Sequence, residues 1–259
     1  MTAFEAISAG LTPAAVAAAF AVTLFAGFVK GALGFAMPLI MISAFGSFMP
    51  APVALAALIL PTLTTNIHQA LRQGWRAALA SAVEFRRLIG TTVVFIALSA
   101  QFVPHIPQPV MLGLLGVPVI LFSGVQLMGR SLALPIKHRL GAEYGLGVVA
   151  GVYGGISGVW GPPVLIFLLS IGVGKVETVR VQGVVFLIGA VVLMSAHLQS
   201  GVLNASTVPF SAALIVPAAL GMWAGFRLQD RLDAARFRRW TLALLLLTGL
   251  NLLRLSAGI

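Results

Sequence analysis

The chain contains no cysteine among its 259 residues. Disulfide frameworks, thiolate metal sites and cysteine nucleophiles are therefore excluded. Charged side chains are also scarce, because only 8% of the residues are Asp, Glu, Lys or Arg, and just six are acidic. Hydrophobic residues make up 59% of the chain, which leaves too little polar surface to cover a soluble domain.

Long apolar runs recur along the whole sequence. Many approach or exceed the ~17 residues needed to cross ~30 Å of hydrocarbon, which excludes a single anchor. Runs such as LALLLLTGLNLL do not alternate between polar and apolar residues, so a transmembrane β-barrel is excluded. The sequence predicts an all-α, polytopic membrane protein. Its apolar segments are 13–48, 51–71, 88–103, 109–128, 142–172, 181–199, 207–226 and 240–255.

The N-terminal sequence MTAFEAISAGLTP has no basic region. A signal peptide begins with such a region, so we expect the mature chain to begin near Met1. The net charge of +10 comes from basic residues placed between apolar segments. This pattern is typical of membrane orientation signals, and nucleic acid is not an expected partner.

A glycine-rich motif occurs twice. GFVKGALGFAMP recurs as GVYGGISGVWGP at a constant offset of 124 residues. Glycine and proline inside an apolar segment predict a broken helix, and paired breaks in two halves of a chain are typical of a transporter's binding site. The alternative is that the G-x-x-x-G spacing forms ordinary helix contacts. Duplication of the whole pattern favours the broken helix. The matched positions are Gly27, Gly31, Gly34 and Pro38 with Gly151, Gly155, Gly158 and Pro162.

The distribution of Lys and Arg predicts the topology. If each of the eight segments crossed once, seven basic residues would lie on each side, contrary to the positive-inside rule. If the first and fifth segments enter and leave by the same face, all fourteen lie on one side. Each is then a re-entrant hairpin of half-helices or two tilted short spans. The fourteen residues are Arg72, Arg76, Arg86, Arg87, Arg130, Lys137, Arg139, Lys175, Arg180, Arg227, Arg231, Arg236, Arg238 and Arg239.

This topology predicts two inverted repeats, each a broken or re-entrant helical hairpin followed by three transmembrane helices. Residues 1–129 form the first repeat, 130–141 a basic cytoplasmic linker and 142–259 the second repeat. We expect a multi-pass protein of the cell inner membrane, with both termini in the periplasm. The loops that lack Lys and Arg, and are predicted on the periplasmic side, lie near 46–51, 102–108 and 200–206.

Two breaks that enter from opposite faces are expected to meet near the middle of the bilayer. Non-helical backbone is tolerated there only where protein buries it or where it lines a cavity. Free amides and the dipole at the start of the following half-helix favour an anion. Lys30 is the only cation inside an apolar segment away from its ends, and no acidic residue lies in a segment interior to pair with it. An anionic substrate is one partner for Lys30; the alternative is that its side chain snorkels to the outer face.

Other polar residues have two interpretations each. Asn66 and Gln69 lie on one helical face, where they either donate amide hydrogens to an oxyanion or join helices. Arg180 is either a cytoplasmic charge that sets the membrane orientation or part of a gate for the substrate. Trp160 either stacks at the hairpin tip or fills core volume.

The two histidines of the apolar segments, His68 and His197, are expected to be structural instead of proton carriers. The predicted substrate-binding residues combine the two motifs with their polar neighbours. They are Lys30, Gly31, Gly34, Phe35, Pro38, Asn66, Gln69, Gly155, Ser157, Gly158, Trp160, Gly161, Arg180 and Gln182.

The motifs resemble those of the TauE/SafE sulfite exporter family, also called the four-toluene-sulfonate-uptake permease family. GFVKGALGFAMPL and GGISGVWGPPVL are similar to its paired glycine-rich signatures, and TNIHQALRQG to the segment after its first hairpin. The resemblance covers nearly the whole chain. It implies movement of sulfite or small organosulfur and related anions across the bacterial inner membrane. Family members often carry more glycines in the first motif, which here contains Lys30, Ala32 and Ala36.

The sequence thus predicts a secondary transporter of small anions, such as sulfite, organosulfonates or related organic anions, bound near the bilayer midplane. An anion channel is the alternative. No GxxxxGK[ST] loop is present, so ATP is not expected as the energy source. Neither HExxH nor paired intramembrane aspartates occur, so an enzyme is not expected, and no cofactor or metal is implied.

The energy source is predicted from charge. Because no carboxylate lies in the interior of an apolar segment, the usual proton relay is missing. An inside-negative potential of about 100 mV favours outward movement of one negative charge by about 2.3 kcal/mol. We therefore expect an exporter that works by uniport. The expected partners are the anion and the lipid bilayer, and the sequence is compatible with a homo-oligomer.

Overall fold

The computed structural model describes residues 8–34, 36–228 and 233–258, without the side chains of residues 175, 176 and 234. This part of the chain is helical and contains no β-strand, which confirms the all-α prediction. The helices are α1 Pro13–Leu33, α2 Met37–Phe45, α3 Ala51–Leu71, α4 Trp75–Glu84, α5 Arg86–Ala100, α6 Gln108–Leu127, α7 Arg139–Ser157, α8 Gly161–Ser170, α9 Lys175–Gln199, α10 Val208–Ala213, α11 Ile215–Leu228 and α12 Ala234–Ser256, with a 3₁₀ turn at Val103–His105.

Six helical segments among the described residues are long and apolar enough to cross a bilayer. This confirms a polytopic membrane protein, since each has at least 20 residues. The six segments are Pro13–Leu33, Ala51–Leu71, Arg86–His105, Gln108–Leu127, Glu177–Gln199 and Val208–Leu228.

The helices of the two halves follow the offset of the motif. Helix α1 ends at Leu33 and α7 ends at Ser157, which is 124 residues later. The starts of α2 and α8, at Met37 and Gly161, differ by 124 as well, and so do the starts of α3 and α9. Helix α7 begins at Arg139, inside the predicted linker 130–141. The equal spacing extends the repeat from the motif to three successive helices.

Helices α1 and α11 run in the same direction. A Cβ at Gly27 would overlap the carbonyl of Ala218, and one at Gly31 would overlap the carbonyl of Met222. Positions four residues apart on one helix therefore meet positions four apart on the other in the same order. Without a side chain, glycine lets the two backbones approach this closely.

The equivalent contact in the second motif joins α7 and α5. A Cβ at Gly151 would crowd the carbonyl of Thr92, and one at Gly155 would lie 2.6 Å from the carbonyl oxygen of Ile96. These helices are parallel too. The G-x-x-x-G spacing of both motifs is thus a helix contact, as the alternative interpretation proposed, while the break follows three residues later.

Helices α3 and α9 are antiparallel at the centre of the fold. Asn66 Nδ2 donates to the carbonyl oxygen of Phe186 at 3.0 Å, and a Cβ at Gly183 would lie 3.0 Å from the backbone nitrogen of Ala70. Later positions on α3 therefore meet earlier positions on α9. Helices α6 and α12 are antiparallel too. Their contacts include Gly116 with Gly249 and Pro109 with Ser256.

Basic residues from separate loops lie together at one end of the bundle. Arg139 forms ion pairs with Glu84 at 3.6 Å and with Glu143 at 3.1 Å. Arg180 Nε donates to Ser81 Oγ at 2.9 Å. The loop at 72–87, the linker and the start of α9 therefore meet. The same clustering extends to Arg130, Arg238 and Arg239, which line one cavity of about 430 Å³.

The opposite end is joined by uncharged contacts. Gln108 Oε1 accepts from the backbone nitrogen of Ala51 at 3.1 Å, and Asn251 Nδ2 donates to Ser47 Oγ at 2.8 Å. These contacts connect the first two loops that lack Lys and Arg with the end of α12. The bundle therefore has one basic end and one end held by neutral hydrogen bonds.

Candidate functional site

Both motifs break their helices at the predicted place. Gly34 ends α1 with φ of +83°, and Gly158 ends α7 with φ of +72°. Each donates its backbone N–H four residues back at 2.7 Å, which is the left-handed helix cap that glycine favours. Pro38 and Pro162 then occupy the first turns of α2 and α8, where a missing N–H costs little. Phe35 lies outside the described residues.

The two arms of each hairpin are unequal. Helix α1 has 21 residues and α2 only 9, while α7 has 19 and α8 has 10. At about 1.5 Å per residue the first arm alone is about 30 Å long, which is the thickness of the hydrocarbon. The hairpins are therefore neither pairs of half-helices nor two short spans.

The glycine turns pass each other, contrary to the expected meeting of tips. The carbonyl oxygen of Gly34 accepts from Gln69 Nε2 at 3.0 Å, whereas Gly158 packs against Leu58. Leu58 and Gln69 are eleven residues apart on α3, or about 16 Å along its axis. The reason is length, because α1 and α7 are too long to stop at the middle of the bundle.

Residues of both breaks nevertheless line one cavity of about 30 Å³. Helices α3, α6 and α9 complete its wall. The lining residues are Lys30, Ala36, Pro38, Leu39, Thr62, Asn66, Phe122, Gly158, Val159, Trp160, Gly161, Pro162, Leu165, Gln182 and Phe186.

Seven of the fourteen residues predicted from the sequence line this cavity, namely Lys30, Pro38, Asn66, Gly158, Trp160, Gly161 and Gln182. Gly31 and Gly155 do not, because they form the helix contacts with α11 and α5. Gly34 and Ser157 lie at the breaks but outside the lining; the Ser157 hydroxyl donates to the carbonyl of Tyr153 at 2.7 Å.

Eight lining residues were not predicted. Thr62 precedes Asn66 by one helical turn and shares its face, so the helical period was a usable signal. Phe122 comes from α6, and nothing in its sequence neighbourhood marks it. The other six are Ala36, Leu39, Val159, Pro162, Leu165 and Phe186, most of them inside the motifs.

Lys30 is buried beside the cavity and does not snorkel. Its side chain is 2% exposed, and Nζ donates to Thr65 Oγ1 at 2.9 Å and to Asn66 Oδ1. No carboxylate within ion-pair distance of Lys30 occurs among the described residues. A buried ammonium without a counter-charge is costly, and the cavity is the place where an anion would supply that charge.

The two side-chain amides expected to bind an oxyanion are bonded to protein. Asn66 Nδ2 donates to the carbonyl of Phe186 at 3.0 Å, and Gln69 Nε2 donates to the carbonyl of Gly34 at 3.0 Å. Both therefore join helices, as the alternative interpretation proposed. Asn66 also holds Lys30, so it acts on the cavity through that side chain.

Three other residues of the cavity lining carry polar groups without a hydrogen bond to the described residues, although the indole edge of Trp160 lies against α9 at Gly189. Thr62 Oγ1 and Trp160 Nε1 are buried and unpartnered, and the Gln182 side chain, 4% exposed, makes no hydrogen bond to the described part of the protein. Unsatisfied buried polar groups are rare and call for a ligand, water or strain as an explanation. All three offer hydrogen-bond donors. Trp160 also fills volume, edge to face with Phe186.

Arg180 lies outside the cavity, at the basic end. Besides Ser81, its guanidinium donates to Glu177 Oε1 at 2.9 Å and to Gln73 Oε1 at 3.3 Å. These bonds tie the start of α9 to α4 and to the loop before it. Arg180 therefore holds the basic end together and does not reach the cavity.

The histidines also have protein partners. His197 is fully buried, with Nε2 2.9 Å from the carbonyl oxygen of Gly155 and Nδ1 3.2 Å from Ser200 Oγ. His68 packs on the ring of Phe226. The described residues contain no group of three or more side chains suited to a metal ion.

Replacing Gly158 by alanine is expected to cost more than replacing Gly34. Positive φ strains either alanine by about 1–2 kcal/mol. At Gly158 a Cβ would also lie 2.7 Å from Leu58 Cδ1, whereas at Gly34 the nearest atom is a methyl of Val179 at 3.7 Å. We expect a further loss of about 1–2 kcal/mol in Gly158→Ala from overpacking, measured as thermal unfolding in detergent. Equal losses in the two variants would contradict the contact with Leu58.

A polytopic helical protein in which two broken helices line one cavity beside a buried lysine has the architecture of a membrane transporter. The chain belongs to the family described as Sulfite exporter TauE/SafE, whose family model matches residues 19–252. This confirms the family resemblance of the two motifs. No curated protein and no solved structure matches the chain.

Proposed function

We propose that this protein is a secondary transporter that exports small anions, such as sulfite, organosulfonates or related organic anions, and that the cavity between the two broken helices holds the anion. The family supports transport across a membrane and not catalysis. The observation that carries the anionic substrate is Lys30, a buried cation that contacts only neutral oxygens and lines the cavity.

The neutral donors around Lys30 support the same substrate. Thr62 and Gln182 line the cavity together with Lys30, and a small oxyanion bound there would accept hydrogen bonds from their hydroxyl and amide groups. Hydrogen bonds to a charged acceptor are stronger than neutral ones. The helix starts at α2 and α8 add little, because Pro38, Pro162 and Pro163 carry no backbone N–H.

The burial of the polar residues in the cavity supports a carrier over the channel alternative. Lys30, Thr62, Asn66 and Gln182 are each at most 4% exposed, so this conformation has no continuous wet path through these residues. A channel would need such a path. Saturable uptake that is accelerated by the same anion on the far side would establish a carrier, whereas single-channel currents would establish a channel.

The inverted-repeat topology is part of the proposal. Helix α1 parallels α11 and α7 parallels α5, while α3 opposes α9 and α6 opposes α12. This is the pattern expected of repeats 1–129 and 142–259 related by an axis in the membrane plane. By the positive-inside rule the basic end is cytoplasmic, which leaves both termini in the periplasm of an inner-membrane protein.

We expect Thr62→Val to weaken anion binding without destabilising the fold. The Thr62 hydroxyl is buried and has no protein partner among the described residues, so valine removes nothing that the empty protein uses. Loss of one hydrogen bond to a charged ligand is expected to raise the Kd for sulfite at least about tenfold. Thermal stabilisation of the purified protein by sulfite measures the Kd.

Thr92→Val is the matched control. Thr92 Oγ1 is likewise buried and unpartnered, but it lies on α5 and does not line the cavity. This variant is expected to bind sulfite as the unmodified protein does. An unchanged Kd in Thr62→Val, or an equal change in both variants, would remove the cavity from the proposed site.

A further inference from the structure

Lys30 is the one charged side chain on the wall of the cavity as the structure describes it. The other lining residues are neutral. The described acidic side chains are engaged at the basic end: Glu84 and Glu143 with Arg139, Glu177 with Arg180, and Asp233 as the N-cap of α12. The formal charge of the empty cavity is therefore that of one ammonium group.

The neighbours of Lys30 are fixed as hydrogen-bond acceptors. The carbonyl of Phe186 accepts from Asn66 Nδ2, which turns Asn66 Oδ1 toward Lys30. Thr65 donates its hydroxyl hydrogen to the carbonyl of Pro61 at 2.7 Å, so its oxygen is left to accept. Two of the three N–H groups of Lys30 are thus used within the protein, and the third is left for a ligand.

We propose that Lys30 makes the cavity selective for anions that carry one negative charge, because such an anion and the ammonium form a net-neutral pair. This rests on the proposed function. A dianion would leave one negative charge uncompensated among Phe122, Leu165 and Phe186, in a cavity lined mostly by apolar residues. An acid with two ionisation steps is accordingly carried in its singly charged form.

The same pairing determines which step of the transport cycle moves charge. When the cavity holds a singly charged anion, the charges of the anion and of Lys30 cancel. The loaded cavity then moves no net charge across the membrane potential. Exchange of one bound anion for another is then insensitive to the membrane potential. In the electrogenic uniport expected from the sequence, charge moves when the empty protein returns to the state that binds the next anion. In that step Lys30 crosses the membrane potential without an anion to pair with.

Three sulfonyl compounds of similar shape test the charge selectivity: dimethyl sulfone is neutral, methanesulfonate carries one negative charge and sulfate carries two. We expect the unmodified protein to bind methanesulfonate at least about 30-fold more tightly than either of the others. Each of the other two compounds leaves one buried charge without a partner. Isothermal titration of the purified protein near neutral pH measures the three Kd values.

Substitution of Lys30 then shifts the preferred charge. In Lys30→Met the preferred compound is expected to change from methanesulfonate to dimethyl sulfone, whereas Lys30→Arg keeps methanesulfonate. Size-exclusion chromatography confirms that each variant is folded. Where Lys30→Met does not fold, the three Kd values of the unmodified protein and of Lys30→Arg decide the question.

Exchange in proteoliposomes gives an independent measurement. Methanesulfonate exchange by the unmodified protein is expected to be equal with and without a potential imposed by potassium and valinomycin. Sulfate binding as tight as methanesulfonate binding, or voltage-dependent exchange, would overturn the assignment of charge selectivity to Lys30. Failure of all anions, including sulfite, to bind would instead overturn the proposed function.

Discussion

The Gly155→Ala variant is expected to unfold with a free energy lower by about 3 kcal/mol, the upper end of the usual overpacking range. A Cβ at this position would overlap Ser99 Oγ and would lie 2.6 Å from the carbonyl oxygen of Ile96 and 2.9 Å from the backbone nitrogen of Ala100. Backbone atoms of a packed helix cannot rotate away, so α7 and α5 would have to separate. Thermal or denaturant unfolding in detergent measures the loss.

Gly145→Ala is the control on the same helix. A Cβ at Gly145 would meet no atom within 4 Å, and alanine favours the helix over glycine by up to about 1 kcal/mol. This variant is therefore expected to be as stable as the unmodified protein or more stable. Equal stability of Gly155→Ala and Gly145→Ala would contradict the close packing of α7 on α5.

Asn66→Leu is expected to lower the free energy of unfolding by about 3–5 kcal/mol, since it breaks a buried hydrogen-bonded charge. Leucine has nearly the same shape but no polar atoms. The substitution leaves the carbonyl of Phe186 without its side-chain donor and Lys30 with Thr65 alone. We also expect anion binding to fall with it, because the amide positions the ammonium in the cavity.

A double-mutant cycle separates these two contributions. In the Lys30→Met background, Asn66→Leu leaves no charge behind, so its cost is expected to be smaller by at least about 1 kcal/mol. Asn251→Leu, which removes exposed bonds to Ser47 and Arg254, is a control of the same chemistry and is expected to cost well under 1 kcal/mol. Equal costs of Asn66→Leu in both backgrounds would contradict its role as the partner of Lys30.

The residues that set local backbone conformation were predictable from the sequence. Gly34 and Gly158 adopt positive φ, which glycine allows and other residues resist, and Pro38 and Pro162 begin the next helices. These properties depend on a few neighbouring residues. Because the same glycines and proline recur in the second copy of the motif, their spacing is not a coincidence.

The division of roles within each motif was not predictable. Gly31 and Gly34 are three residues apart and look alike in the sequence, yet Gly31 contacts α11 and Gly34 ends the helix. Asn66 and Gln69 looked like donors to a ligand, but each finds a backbone carbonyl on another helix. The partner in every case comes from a distant part of the chain.

By itself the sequence determined the membrane class, the family, the two helix breaks and the presence of one unpaired cation. The family follows from the resemblance of the two motifs, and the rest follow from composition, local conformation and the energetic cost of charge in hydrocarbon. Only the tertiary structure decided that the breaks pass each other and that Thr62, Trp160 and Gln182 line one cavity with Lys30. Which face of a helix meets the cavity depends on how long helices from both halves pack together, and no single segment carries that information.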